Sequence, residues 1–107
     1  HHPIIRDEKA CYAMTNFAVS LAKKHGTYLH VLHISTLDEL VFFENNTPLV
    51  SKKITAEACV HHLYFDADDY STFGNQIKCN PAIKDKKHKI EILKAVIDDR
   101  IDIIATD

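Results

Sequence analysis

The stretch YLHVLHIST, residues 28–36, decides the fold of this 107-residue chain. Its closely spaced apolar residues are typical of a buried strand, which we predict over residues 28–33. Gly26 is a usual helix stop, so a helix over residues 6–25 is expected to lead directly into this strand. His33 falls at the end of the strand, and a polar ring beside buried apolar residues calls for a structural or functional explanation. The rest of the chain supplies one.

The alternation of helix and strand continues along the chain. A second helix is predicted from residue 36 to about 45, and a second strand over 50–57. A long irregular stretch over 61–81 follows, then a helix that begins after Asp85 and a last strand over 101–107. Strands separated by helices predict a parallel sheet, so the fold class is α/β.

The two long helices each show apolar residues at three- and four-residue spacing. We expect these stripes to face the core. They consist of Cys11, Met14, Ala18 and Leu21 in the first helix, and of Ile90, Leu93 and Ile97 beside Val96 in the last.

The composition excludes several classes of function. Charged residues make up 26% of the chain and the net charge is −2 with signs interspersed, which gives no electrostatic basis for binding nucleic acid or an anionic membrane. No apolar run approaches the roughly 20 residues that span a bilayer. The three cysteines are widely spaced, as in a reduced protein rather than a disulfide framework.

Two polar residues stand at strand ends, His33 after the first strand and Asp107 at the close of the last. Parallel α/β folds gather their chemistry at this edge of the sheet. Side chains alternate along a strand with a period of two, so His33 is expected to lie on the same face as Val31, while His30 is expected to point toward the helices. Imidazole and carboxylate suit a zinc ion or a general base and its partner. A hydrogen-bonded structural histidine and a helix-capping aspartate are the commoner alternatives.

Four motifs in order, LHVLHIST, ITAEACVHHLYF, IKCNPAIK and IDIIATD, resemble those of the dihydroorotases, which belong to the amidohydrolase superfamily of metal-dependent (β/α)8 barrels. The resemblance covers essentially all of the chain. It implies a parallel β/α segment of a TIM-type barrel, about strands 6–8. Residues 1–107 are therefore expected to form one partial domain, the C-terminal part of a barrel that typically needs about 250 residues.

The resemblance also assigns roles to particular residues. His33 corresponds to the histidine that binds one zinc of a binuclear centre, and Asp107 to the aspartate that binds metal and carries the catalytic proton. Asn80 corresponds to an asparagine that contacts the pyrimidine substrate. Ala82 and Lys84 depart from the family's NPPLR pattern in that loop.

The implied function is a zinc-dependent dihydroorotase, which interconverts L-dihydroorotate and N-carbamoyl-L-aspartate in pyrimidine biosynthesis. A related cyclic amidase acting on dihydropyrimidine, hydantoin or allantoin is an alternative, and a non-catalytic scaffold subunit is another. The reduced cysteines fit a cytoplasmic protein, and the resemblance is compatible with a homodimer or with association with aspartate transcarbamoylase.

Three other histidines are expected to be structural. His61 and His62 are neighbours, and neighbours on an extended chain point to opposite sides, so at most one is expected to approach the site. His88 lies in a lysine-rich helix start and is expected to be solvated.

Overall fold

The computed structural model describes residues 8–69, 72, 74–77 and 83–106. Within these ranges, three α-helices and three β-strands carry the fold, and four short 3-10 turns lie in the connections. In chain order the regular elements are α1 (Glu8–His25), β1 (Leu29–Val31), β2 (Ile54–Cys59), α2 (Val60–Tyr64), α3 (Lys86–Ile97) and β3 (Ile103–Ala105). The predicted helix after residue 36 is a 3-10 helix over Asp38–Phe42.

The strands form one parallel sheet in the order β1-β2-β3. In the register, His30 lies opposite Thr55, and Glu57 lies opposite Ile103. This arrangement confirms the predicted α/β class. Paired residues of neighbouring strands share a face, so the register also fixes which side chains can meet.

The core lies between the sheet and the helices. Ala56 and Ala58 of β2 pack with Ile92 and Ala95 of α3, and Val31 of β1 packs against the same cluster. The opposite face of the sheet therefore carries the alternate side chains, and in a (β/α)8 barrel that face is the barrel interior.

The predicted helix stripes are only partly confirmed: Cys11 and Ala18 are half-buried and Val96 packs against the core, but the other predicted positions are exposed. The buried positions of α1 are Thr15, Val19 and Ala22, and those of α3 include Ile92 and Ala95. The large apolar side chains stay outside, with Met14 at 68% exposure, Phe17 at 65% and Ile97 at 82%.

A buried ion pair links the amino ends of β2 and β3. Lys52 Nζ lies 2.7 Å from Asp102 Oδ1, and the side chains are 3% and 5% exposed. Lys52 also donates to the carbonyl of Asp99, while Asp102 accepts a hydrogen bond from the amide of Ala56. Each charge thus has both an opposite charge and a backbone partner, as buried charges require.

The prediction that His88 is solvated is wrong, since it is 2% exposed. Its Nδ1 accepts a hydrogen bond from the amide of Leu37 at 2.9 Å, so Nε2 carries the proton and donates to Glu8 Oε1 at 2.9 Å. The ring joins the start of α3 to the first turn of α1 and to the segment after β1. The hydrogen bond from His88 holds the pKa of Glu8 below its usual value.

Candidate active site

His33 lies just beyond β1, at the carboxyl-end edge of the sheet, which we call the rim. The strand ends at Val31, two residues earlier than predicted, and Leu32 is 53% exposed. His33 has a φ of 40°, in the left-handed region that few residues other than glycine adopt, although histidine is among the more tolerant. The predicted continuation of the strand alternation to His33 is therefore wrong, because the backbone turns there.

This turn has a functional consequence. Val31 packs on the helix side of the sheet, so unbroken alternation would have sent His33 toward the helices as well. The left-handed turn instead brings the amide of His33 to the side chain of Glu57, which projects from the opposite face. The sequence argument placed His33 at the rim, but the strand alternation on which it relied ends at Val31.

Glu57 organises the polar groups on that face. Its side chain is largely buried, and Oε2 accepts hydrogen bonds from the amide of His33 at 3.2 Å and from Cys59 Sγ at 3.8 Å. Its own carbonyl accepts from the amide of Ile34 at 2.8 Å. The segment that follows β1 is thus attached to β2 through both the backbone and the side chain of one residue. Sequence reasoning left Glu57 unassigned, although a carboxylate near the end of a buried strand was the available signal.

His30 belongs to the same face as Glu57, so the prediction that it points toward the helices is wrong. Its Nδ1 lies 2.8 Å from Thr55 Oγ1, and its Nε2 lies 3.5 Å from Glu57 Oε1. The ring therefore lies one layer below His33 and is held by β2.

A cavity of about 450 Å³ opens between α1 and β1, beside His33. Most of its lining is apolar, with a few polar groups, as in small-molecule sites. The residues of α1 that line it include Cys11, Met14 and Thr15, and those of the strand side include His30 and His33.

Lys84 connects the loop predicted to bind substrate with the segment after His33. It is 6% exposed, and its Nζ donates to Ser35 Oγ at 3.0 Å. Ile83 before it is also buried, at 1% exposure. Lys84 stands where the family's NPPLR pattern has arginine, and it still places a buried cationic side chain against the segment after β1.

Two of the predicted site residues, Asp107 and Asn80, lie outside the described residues. Ala105, which lies two residues before Asp107, pairs with Cys59 in the register of β2 and β3. The roles of Asp107 and Asn80 stay predictions.

His61 and His62 do not lie on an extended chain, so that premise of the sequence argument is wrong. Both belong to α2, and their ring centroids are 4.3 Å apart. Consecutive residues of a helix differ by about 100° rather than 180°, so adjacent rings can meet.

The fold is shared with solved amidohydrolase barrels. A D-hydantoinase matches 99% of this chain at a TM-score of 0.87 and 17% identity, although the match is 24% of that protein. An L-hydantoinase (dihydropyrimidinase) from Arthrobacter aurescens matches 87% of the chain at a TM-score of 0.76 and 22% identity, over 20% of its own length. The chain therefore has the fold of a β/α segment of these barrel proteins.

Sequence similarity narrows this class. The chain is 31% identical over its whole length to a dihydroorotase from Listeria innocua, and 36% identical over 83% of its length to one from Listeria welshimeri. A dihydroorotase from Lactobacillus delbrueckii is 35% identical over 81% of the chain. Over its whole length the chain is thus similar to dihydroorotases. It spans between 20% and 27% of the length of these relatives.

Two further comparisons have a plain outcome. No protein-family model matches the chain. Among the residues that the structure describes, none of the helices combines the length and the apolar character of a membrane span.

Proposed function

We propose that this chain is the C-terminal part of the barrel of a zinc-dependent dihydroorotase, a cyclic amide hydrolase. One observation carries the proposal: similarity to dihydroorotases over the whole chain coincides with a histidine fixed at the rim of the sheet. The reaction would interconvert L-dihydroorotate and N-carbamoyl-L-aspartate.

The donor groups of the chain fit one part of a zinc site. His33 offers a borderline imidazole, which zinc accepts, and its backbone is fixed by Glu57. Glu57 is already occupied by this amide, so its part is to support the ligand rather than to bind metal. Asp107 is the proposed second ligand. Zinc, when bound, supplies a Lewis acid that activates water and polarises an amide carbonyl.

The remaining steps fall to side chains of this chain. Asp107 would accept the proton of the attacking water and deliver it to the amide nitrogen that leaves, acting as base and then as acid. Asn80 would orient the ring of the substrate by hydrogen bonds. The buried bond from Lys84 to Ser35 holds position 84 against the segment that follows His33.

The test uses the complete protein in which this segment occurs. Conversion of N-carbamoyl-L-aspartate and dihydroorotate is measured beside hydantoin, dihydrouracil and allantoin, together with bound zinc. His33→Asn removes the imidazole but keeps a residue that tolerates positive φ, so its effect reports on the ring and not on the backbone. We expect losses of zinc and of rate beyond the roughly 10–100-fold typical of outer-shell changes.

His30→Asn is the matched control, since it removes an imidazole from β1, the strand that leads to His33, and leaves the proposed ligand in place. Turnover of hydantoin without dihydroorotate would replace the proposed substrate. Full activity of His33→Asn would refute the ligand assignment. Association with aspartate transcarbamoylase, a homodimer and a cytoplasmic location stay predictions from the sequence.

A further inference from the structure

A second group of metal-binding side chains lies at the carboxyl end of β2. Cys59, His61 and His62 each place one donor atom within 4.8 Å of the others. Cys59 is fully buried and His62 is 4% exposed. The group contains neither His33 nor Asp107, and the proposed dihydroorotase mechanism does not use it.

The local backbone explains how three residues so close in sequence converge. Cys59 ends β2 in an extended conformation, with φ −95° and ψ 147°, and α2 begins at the next residue. The change from strand to helix brings His61 and His62 back beside the thiol, with the rings tilted by 45° to each other. A continued strand would have separated them.

One ring nitrogen points to a missing ligand. His61 Nε2 is buried, yet it makes no hydrogen bond. Leaving a buried polar atom unsatisfied costs about 1–3 kcal/mol, and such groups in native structures call for an explanation such as an ion. Since the ring of His61 belongs to a cluster with a thiol and a second imidazole, a thiophilic cation is a chemically suitable ligand for it.

We propose that Cys59, His61 and His62 bind a zinc ion, with water as the fourth ligand, at a site separate from the proposed catalytic centre. Zinc takes sulfur at about 2.3 Å and imidazole nitrogen at about 2.0–2.1 Å, so tetrahedral ligands lie roughly 3.5 Å apart. The donors therefore need to close by about 1 Å from their present limit of 4.8 Å, which small side-chain rotations supply. Magnesium and calcium prefer oxygen ligands and do not fit this set.

Charge favours the same conclusion. Binding forms an S–Zn bond, breaks the S–H bond of Cys59 and releases its proton to solvent, leaving one net positive charge on the ion and its thiolate. The thiol now donates to Glu57 Oε2 at 3.8 Å, so the carboxylate that would balance this charge is already adjacent. Glu57 would then support both sites, since the same oxygen accepts from the amide of His33.

The experiment uses Co²⁺ as a spectroscopic substitute for zinc in the complete protein, because only a thiolate ligand produces a thiolate-to-cobalt charge-transfer band. We compare the wild type with Cys59→Ala and His61→Asn, and with the control Cys11→Ala, which removes a thiol on α1. His33→Asn is included to separate this site from the catalytic one, and circular dichroism confirms that each variant is folded.

We expect the band in the wild type, in Cys11→Ala and in His33→Asn, its loss in Cys59→Ala, and at least about tenfold weaker Co²⁺ binding in His61→Asn. The absence of the band in the wild type, or its survival in Cys59→Ala, would overturn the site. If Cys59→Ala does not fold, an unchanged Co²⁺ affinity in His61→Asn would overturn the site instead. None of these readouts depends on turnover, so they remain informative if the proposed activity is wrong.

Discussion

Replacing Glu57 by alanine is expected to disable the proposed catalytic centre without removing any proposed metal ligand. The carboxylate accepts a hydrogen bond from the amide of His33 at 3.2 Å, and His33 has a φ of 40°. A residue other than glycine in a sparsely populated region costs about 1–3 kcal/mol and persists only when its surroundings hold it. Without Glu57 the backbone is free to relax to negative φ, which would turn the imidazole away from the rim.

The size of the effect follows from the lost contact. A hydrogen bond to a charged group contributes about 1.5–3 kcal/mol, and about 1.4 kcal/mol corresponds to a factor of ten. We therefore expect Glu57→Ala to lower zinc affinity and kcat/KM by about 10–100-fold, the range typical of outer-shell partners. Glu57→Gln keeps an acceptor oxygen and is expected to lose less than about tenfold.

The assay is zinc affinity measured with a competing chelator, together with kcat/KM for dihydroorotate, in the complete protein. Thr55→Val is the matched control, because it alters the same face of β2 and removes the contact to His30 while leaving that to His33. Zinc affinity in Glu57→Ala equal to that of the wild type would refute the reasoning. An equal loss in Thr55→Val would also refute it, since the effect would then be general to the strand.

Two further predictions concern stability. Lys52→Met leaves the carboxylate of Asp102 buried without its cation, so we expect the free energy of unfolding to fall by about 3–5 kcal/mol, while the exposed Lys94→Met changes it little. The double variant with Asp102→Asn should lose less than the sum of the single variants, and additive losses in thermal unfolding would contradict the coupling. The hydrogen bond from His88 lowers the pKa of Glu8 in the folded protein. The stabilisation that this bond gives is therefore present above the pKa of Glu8 in the unfolded chain, and it is lost as the pH falls through the pKa in the folded protein. Glu8→Gln should therefore flatten the acid side of a profile of Tm against pH. The free energy of unfolding involved is less than about 1 kcal/mol, because the carboxylate is partly exposed. An acid side that stays unchanged in the variant would argue against this role of Glu8.

The order of elements could be predicted from the sequence because apolar strands and helices alternate clearly. The exact end of β1 could not, since residues 28–33 contain a regular apolar pattern up to His33. What ends the strand is a contact with Glu57, 24 residues away. A short-range pattern does not contain that contact.

The histidines show the same limit. Composition around His88 predicted solvent, yet its ring is buried by partners far along the chain at Leu37 and Glu8. His61 and His62 were misplaced because β2 ends at Cys59 and a helical turn follows at once. By contrast, the placement of His33 at the rim needed only the approximate position of a strand end and a family motif, and both could be read from the sequence.

The bond between Lys84 and Ser35 has a consequence for changing the substrate range of the proposed dihydroorotase. Lys84 is buried, so its ammonium cannot be moved without disturbing the segment that carries the proposed metal ligand. A mutant library aimed at new substrates could diversify the positions just upstream, 78–82, and keep a fixed point at their downstream end. If Lys84 were randomised as well, each change of substrate selectivity would be accompanied by a change in metal retention. Most clones would then be discarded because they lose the metal, whatever their selectivity.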